Sequence, residues 1–272
     1  MDVRNLWKKQ FCQLFCATNK DQINVKKAMA LKHENMPSSL YKYMSFDKDG
    51  HSLNLLESDE LWLSSPNNFN DPFDSGFTFN YGESASIMDS QNKNQREDLA
   101  FNEKRIKNLV PNFNSIHKNR IFERCFSEEI DSTPMWSHYA DDYKGFCIEY
   151  NFKQFEFGDD ISTNIYPVIY NKKLFDATKH LRQIDKLPDD NILMNICAAI
   201  NKSIKWSNEK EWRIVSIINE GPLKVLKPKA VYLGDKVTDK HKKSVMEIAN
   251  VRKIEVYQIQ INATEISFEK LR

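Results

Sequence analysis

The stretch CFSEEIDSTPMWSHYADDYKGFCIEY, residues 125–150, decides how this chain is read. Its first residues close the stretch 120–127, which reads as a strand ending in CFS. Pro134 then opens a short helical turn, PMWSHYAD, because proline is tolerated in a first helical turn and its fixed φ starts one. Gly145 releases the chain into a second strand, GFCIEYN. A strand, a one-turn helix and a strand within 30 residues leave no room for the long crossover helices of a doubly wound sheet.

Working outward, LYKYMS (40–45) reads as a strand, a short helix follows at 52–58, and ELWLSS is a second strand. SSPNNFNDPFD (64–74) is dense in turn formers. Residues 83–119 are polar, with one helix expected over 94–110 and loops around it; the same segment is the candidate mobile excursion, and 83–93 the only candidate linker. IYPVIYN (165–171) reads as one strand, and 174–186 and 190–206 as helices. EWRIVSI, LKVL, AVYLG, KIEVYQIQI and EISFEKL are close-set short strands, interrupted by a helix over 239–249 that Thr238 caps. At the N-terminus, Trp7, Phe11, Leu14 and Phe15 make a helical stripe over 5–17, and 21–34 extends it as a second helix. The domain reading is a helical extension, 1–36, and one α+β domain, 37–272, with a helical insertion around 83–119. Its class is mixed α+β, mostly antiparallel short-strand sheets with flanking helices.

Composition bounds the function. The 272 residues carry a net charge of +1, so no global field draws the chain to nucleic acid or membrane. The five cysteines, at 12, 16, 125, 147 and 197, are odd in number and lack metal-ligand spacing, which points to reduced thiols. Lysines break the apolar stretch at the start, as no secretory leader allows, and no run approaches the ~20 apolar residues of a membrane span. A cytoplasmic location is expected, with no membrane partner. Seven glycines and no Gly-rich motif argue against a phosphate cradle.

Four phrases carry the candidate chemistry. In NEKEWRIV (208–215), Glu209 and Glu211 lie two apart. On an extended backbone both carboxylates face one side, where two acids can ionise unequally and divide the work. In LYKYMS, Lys42 stands between Tyr41 and Tyr43. In SSPNNFNDPFD, Asn70 and Asp71 suit local backbone bonding or a ligand. In 125–146, Ser127 ends a strand, and Trp136, His138, Tyr139 and Tyr143 offer aromatic faces with polar tips, suited to stacking on a base or nicotinamide ring.

The ordered phrases LYKY, SSPxxFNDPFD, CFSE, MWSHYADxYKGFCIEY and EKEWRI resemble a bacterial family of domains of unknown function, from about Leu40 to the C-terminus. More distantly, their order resembles the ADP-ribosyltransferase superfamily, including toxins that modify nucleic acids. Lys42 stands where that superfamily carries Arg or His on its first strand, Ser127 where it carries a hydroxyl on a middle strand, and Glu209 and Glu211 where it carries Glu-x-Glu. The resemblance implies an ADP-ribosyltransferase-like fold with NAD as co-substrate and no metal. Lys42, Tyr43, Ser127, Trp136, His138 and Tyr139 would hold NAD. Glu211 would stabilise the transition state, and Glu209 would orient or deprotonate the acceptor. Asn70, Asp71, Lys210 and Arg213 would meet that acceptor, a nucleic acid (RNA favoured) or a protein. A toxin or phage-defence role, with an antitoxin or chaperone partner, follows from the same resemblance. Two alternatives stand beside it. One is a metal-dependent nuclease or other hydrolase built on Asp71, Asp74, His138 and Glu211. The other is a non-enzymatic module whose aromatic turn binds a ligand.

Overall fold

The computed structural model describes residues 6–16, 23–91, 99–181, 188–217, 221–224, 227–262 and 265–272. The elements up to the middle of the chain are α1 (Leu6–Phe15), α2 (Val25–Glu34), β1 (Leu40–Met44), α3 (His51–Glu57), β2 (Glu60–Leu63), β3 (Phe77–Thr78), α4 (Tyr81–Gln91), α5 (Leu99–Lys118), β4 (Phe122–Ser127), α6 (Thr133–Tyr139) and β5 (Phe146–Tyr150). Then come α7 (Asp160–Asn164), β6 (Ile165–Pro167), β7 (Ile169–Asn171), β8 (Phe175–Asp176), α8 (Thr178–Leu181), α9 (Pro188–Ala199), β9 (Asn201–Ser203), β10 (Glu211–Ser216), β11 (Gly221–Lys224), β12 (Ala230–Leu233), α10 (Asp239–Arg252), β13 (Glu255–Ile261) and β14 (Ile266–Lys270).

Eight strands form the main sheet in the order β14-β13-β12-β5-β1-β4-β10-β6. Every neighbouring pair is antiparallel except β12 and β13, which α10 connects as a crossover. The class is therefore α+β with a mostly antiparallel sheet, as expected.

Side chains alternate across a strand, and here the alternation divides two kinds of chemistry. One face carries Leu40, Phe126, Phe146, Ile148, Trp212, Ile214 and Val231, packed with Leu55 and Leu56 of α3 and Val245 and Ala249 of α10. Each such side chain contributes roughly 1.5–3 kcal/mol on burial, so this face carries the main core. The opposite face carries Tyr41 and Tyr43 of β1, Glu123, Cys125 and Ser127 of β4, and Glu211 and Arg213 of β10. The register sets Tyr41 against Ser127, and Ser127 against Glu211.

Between α6 and β5 the chain makes a tight reversal. Asp141, Asp142 and Tyr143 all take positive φ, at 47°, 51° and 67°. Gly145 follows, and a Cβ there would sit 2.1 Å from the Met44 carbonyl oxygen of β1. The YKGF phrase is thus fixed by how closely this turn approaches the neighbouring strand.

The N-terminal helices are part of the packing. Phe11, Phe15 and Ala28 are buried against Ile121, Tyr166 and Val215, and Trp7 stacks on Trp212 with ring centroids 5.8 Å apart. Lys32 is fully buried and donates to the carbonyls of Ser162 (2.6 Å) and Thr163 (3.1 Å) at the C-terminal end of α7, a favourable end for a cation. Burial lowers its pKa to about 7.

Four expectations change. IYPVIYN breaks at Val168: β6 stays in the main sheet, while β7 pairs with β9 in a small parallel sheet. The Val168 N–H bonds the Glu211 carbonyl and the Ile169 N–H bonds that of Ile200, so the chain changes partner within one residue. The helix expected over 190–206 ends at Ala199 for the same reason, since 201–203 is drawn into β9. Over 83–119 there are two packed helices rather than one with loops. Their cluster includes Phe77, Phe79, Ala85, Ile106 and Ala198, and α5 runs on through Pro111, with Asn114 bonding both the N–H and the carbonyl of Phe77. The helix expected over 174–186 begins as strand β8, paired with β3, and of its described residues 178–181 are helical; residues 182–186 lie outside the described residues, as do 92–98 of the insertion and 225–226 of LKVL. Among the described residues, no helix is long and apolar enough to cross a membrane.

Candidate active site

The polar face of the sheet ends in a cavity of about 330 Å³. Its floor is Ser127, Cys125, Glu211 and Lys202; its walls include Tyr41, Tyr43, Phe69, Met135 and Tyr139, with Asn70 and His138 at the rim. The floor belongs to a buried network of four carboxylates, Asp74, Glu123, Glu209 and Glu211, and two cations, Lys202 and Arg213, of which Glu123 and Arg213 do not line the cavity.

Arg213 organises the network. Its Nε donates to Glu211 Oε1 (2.8 Å) and one terminal nitrogen to Glu211 Oε2 (3.0 Å). Both terminal nitrogens reach Asp74, at 2.7 and 2.8 Å, and one also reaches Glu123 (3.1 Å), Ser75 Oγ (2.9 Å) and the Ala199 carbonyl (2.6 Å). The planar fork of arginine is what permits two bidentate carboxylates at once. Lys202 Nζ bonds Glu211 Oε2 at 3.0 Å, lies 3.2 Å from Asp74 Oδ2, and contacts Glu209 Oε2 directly.

The two central glutamates are brought together differently from the expectation. Glu209 closes a 3₁₀ turn over Ile204–Glu209, and Lys210 is left-handed (φ 44°, ψ 54°) rather than extended. Simple strand alternation therefore does not align them. They converge because both reach Lys202. Ser127 holds the turn in place by donating to the Glu209 carbonyl (2.8 Å), and the Glu211 N–H donates to Tyr170 Oη (2.9 Å).

Their electrostatics diverge. Burial pushes the Glu211 carboxyl up, but Arg213 and Lys202 outweigh it and hold Glu211 well below the usual carboxylate range. Burial and the charge of Glu211 push Glu209 up, against the pull of Lys202 and of Tyr139 Oη, which donates to Glu209 Oε1 at 2.6 Å. Burial raises Glu123 to about 8, with Arg213 opposing. One ionised carboxylate beside one of higher pKa is the arrangement that separates an electrostatic stabiliser from a base.

Of the residues expected to hold a cofactor, Lys42, Tyr43, Ser127, His138 and Tyr139 line the cavity. Trp136 does not: it is fully buried, stacked on Tyr143 and edge-on to Tyr43, with its Nε1 donating to the Ile130 carbonyl. Its ring faces are covered, so it shapes the wall from behind. Among the residues expected to meet an acceptor, Asn70 sits at the rim, 3.4 Å from Tyr139 Oη. Asp71 is a correction: its Oδ1 caps the Phe73 N–H at 2.9 Å and serves the turn. Arg213 is another, since it is fully buried beneath the floor. Lys210 points away from the cavity and pairs with Glu129. Of the alternative metal set, Asp74, His138 and Glu211 line the cavity, but Asp71 caps the turn and Asp74 and Glu211 are clamped by Arg213. Among the described residues no group of three or more His, Cys, Asp or Glu is placed to hold a metal ion.

Sequence reading missed the network roles of Lys202, Asp74 and Glu123 and the support from Tyr170. Asp74 carried a signal, as the last residue of the FNDPFD phrase. The other three lie in segments whose approach to β10 is a matter of tertiary folding.

The sequence model of a family described as "Protein of unknown function (DUF2971)" matches residues 135–214. The matched stretch runs from Met135 in α6 to Ile214 in β10 and contains Tyr139, Lys202, Glu209, Glu211 and Arg213; the phrases at 40–43, 64–74 and 125–128 lie outside it. No curated protein and no solved structure matches the chain. The chain is thus similar, over the part that carries its paired glutamates, to a family whose activity is unassigned.

Proposed function

We propose that the chain is an NAD-dependent ADP-ribosyltransferase acting on a nucleic acid, with RNA favoured over protein as acceptor. The observation that carries this reading is the pair Glu209 and Glu211, joined through Lys202 at the floor of an aromatic-walled cavity and shifted in opposite directions. Transfer of a ribosyl group breaks the C–N bond to nicotinamide, which leaves with the bonding electrons, and positive charge develops on the ribosyl carbon. Glu211, ionised and fixed by Arg213, is preoriented to face that charge, and preorganised charge is worth most in a dry site. Glu209, with the higher pKa, accepts the proton of the attacking acceptor group. Tyr139 and Lys202 hold it in position. Tyr43 and Phe69 supply the apolar wall for a planar ring. Such an activity suits a bacterial toxin or phage-defence effector, held in check by an antitoxin partner.

The test is incubation of the purified chain with labelled NAD and a bacterial lysate, followed by separate nuclease and protease digestion. The reading expects label that nuclease releases. Absence of both NAD binding and labelling would overturn it, and protease-released label would move the acceptor to protein.

A further inference from the structure

Two further cavities, of about 740 and 460 Å³, lie along α1. Cys12, Ile169 and Asn171 line both, so the two adjoin as one groove between α1 and β7. On the helix the lining runs from Trp7 to Cys16, about 14 Å of axis, the length of about four extended residues. The groove contains an open strand edge. The Ile169 N–H bonds the Ile200 carbonyl on the β9 side of β7, and the Val168 N–H bonds the Glu211 carbonyl on the other side. Backbone groups alternate sides along a strand, so the Tyr170 N–H and carbonyl are directed to the side of Glu211. β10 fills that side only as far as Glu211, because the chain before it is the left-handed Lys210 and the 3₁₀ turn. Among the described residues no strand pairs with β7 there, and Tyr170 lines the larger cavity.

The charges around this edge are unbalanced. Five lysines line the groove, Lys8, Lys9 and Lys210 at one end and Lys172 and Lys173 at the other, against two carboxylates, Glu128 and Asp176. Both carboxylates are engaged. Glu128 accepts from Lys8 (2.8 Å) and from Trp212 Nε1 (2.7 Å), and Asp176 accepts from the Thr178 N–H (3.0 Å). Lys210 pairs with Glu129. Lys9, Lys172 and Lys173 are exposed and have no ion-pair partner among the described residues. Unpaired cations therefore stand at both ends of the open edge.

We propose that the groove is an interaction surface for a partner protein, which inserts an extended acidic segment as an added strand on β7. Its backbone bonds Tyr170, and its carboxylates meet Lys9 at one end and Lys172 and Lys173 at the other. An N–H and a carbonyl presented by one residue match a peptide backbone, which returns an acceptor and a donor. A nucleic acid would satisfy the lysines, but its phosphates bring acceptors only and leave the Tyr170 carbonyl unbonded. The Tyr170 hydroxyl already accepts from the Glu211 N–H at 2.9 Å, so one residue holds both the added strand and Glu211. The surface is independent of the transfer reading and stands or falls apart from it.

The experiment selects binders to the immobilised full chain from a phage-displayed library of random octapeptides. Selection enriches sequences with Asp or Glu towards both ends and β-branched residues between. A synthetic copy of the dominant peptide binds the wild type, and Lys9→Glu and Lys172→Glu each weaken it by about tenfold. Both variants keep the wild-type melting temperature, since both side chains are exposed. Lys240→Glu, at an exposed lysine outside the groove, keeps the wild-type affinity. N-methylation of alternate peptide residues removes binding in one phase and spares it in the other, as strand addition requires. No enrichment of acidic sequences, unchanged affinity in both groove variants, or equal binding of the two methylated forms overturns the proposal. So does tighter binding of an oligouridine RNA than of the peptide, lost in the same variants, which would make the groove a nucleic-acid surface. None of these arms contains NAD, so a chain that binds the peptide and labels nothing keeps the groove and loses the transfer reading.

Discussion

Glu209 and Glu211 share one cation: Lys202 Nζ contacts Oε2 of each, at 3.0 Å for Glu211. The two carboxylates cannot rearrange independently. Lys202→Met would leave Asp74 and Glu211 paired with Arg213, and Glu209 without the cation that it contacts. The expected result is a loss of about 3 kcal/mol in urea unfolding at pH 7, the scale for breaking a buried pair. An unchanged midpoint would show that the network is not cohesive.

Arg213→Lys tests the fork. A lysine keeps the charge but cannot hold Asp74 and Glu211 bidentately, so it is not conservative here. The variant is expected to lose roughly 3–5 kcal/mol. Full stability in Arg213→Lys would mean that charge alone suffices.

Glu123 gives a pH signature. Its folded pKa of about 8 lies above its unfolded value, so between those two values the native state holds a proton that the unfolded chain has released. Stability contributed by this group is present at low pH and falls as pH rises towards about 8, with a limiting slope of about 1.4 kcal/mol per pH unit. Glu123→Gln removes the titration. It is expected to lose less stability than the wild type between pH 6 and pH 8 in parallel urea series, and identical slopes would contradict the account.

Tyr139→Phe removes one hydroxyl that favours ionised Glu209. Stability should change by less than about 1.5 kcal/mol, the typical worth of one hydrogen bond. With that bond gone the Glu209 pKa rises further, so the acid limb of the pH–rate profile for labelling moves to higher pH. An unmoved limb would separate Glu209 from the proton transfer.

Much of this was legible in the sequence. LYKYM, FCIEY and EWRIVS showed their strands because alternation and β-branched or aromatic content agree with their place in a sheet. The paired glutamates stood out through their spacing, although the reason given for their convergence was strand alternation, and the actual reason is a left-handed Lys210 together with a lysine from β9. Residues 83–119 read as loops around one helix because α4, GESASIMDSQ in its body, is polar and weakly periodic; its docking depends on Ala85 and on Phe77 and Phe79, which precede it. Arg213 stood in the sequence as an acceptor contact, two residues after Glu211. Two of its three carboxylate partners come from positions 74 and 123, and no local pattern announces contacts of that range.

The most direct measurement of the central claim is nicotinamide release from NAD by Glu211→Gln, beside the wild type, with both melting profiles recorded. Glutamine keeps the shape and one acceptor but not the charge. The account predicts a folded variant whose release rate falls by on the order of 10²–10³, the cost of removing one preorganised electrostatic group. A folded Glu211→Gln that releases nicotinamide at the wild-type rate would contradict it.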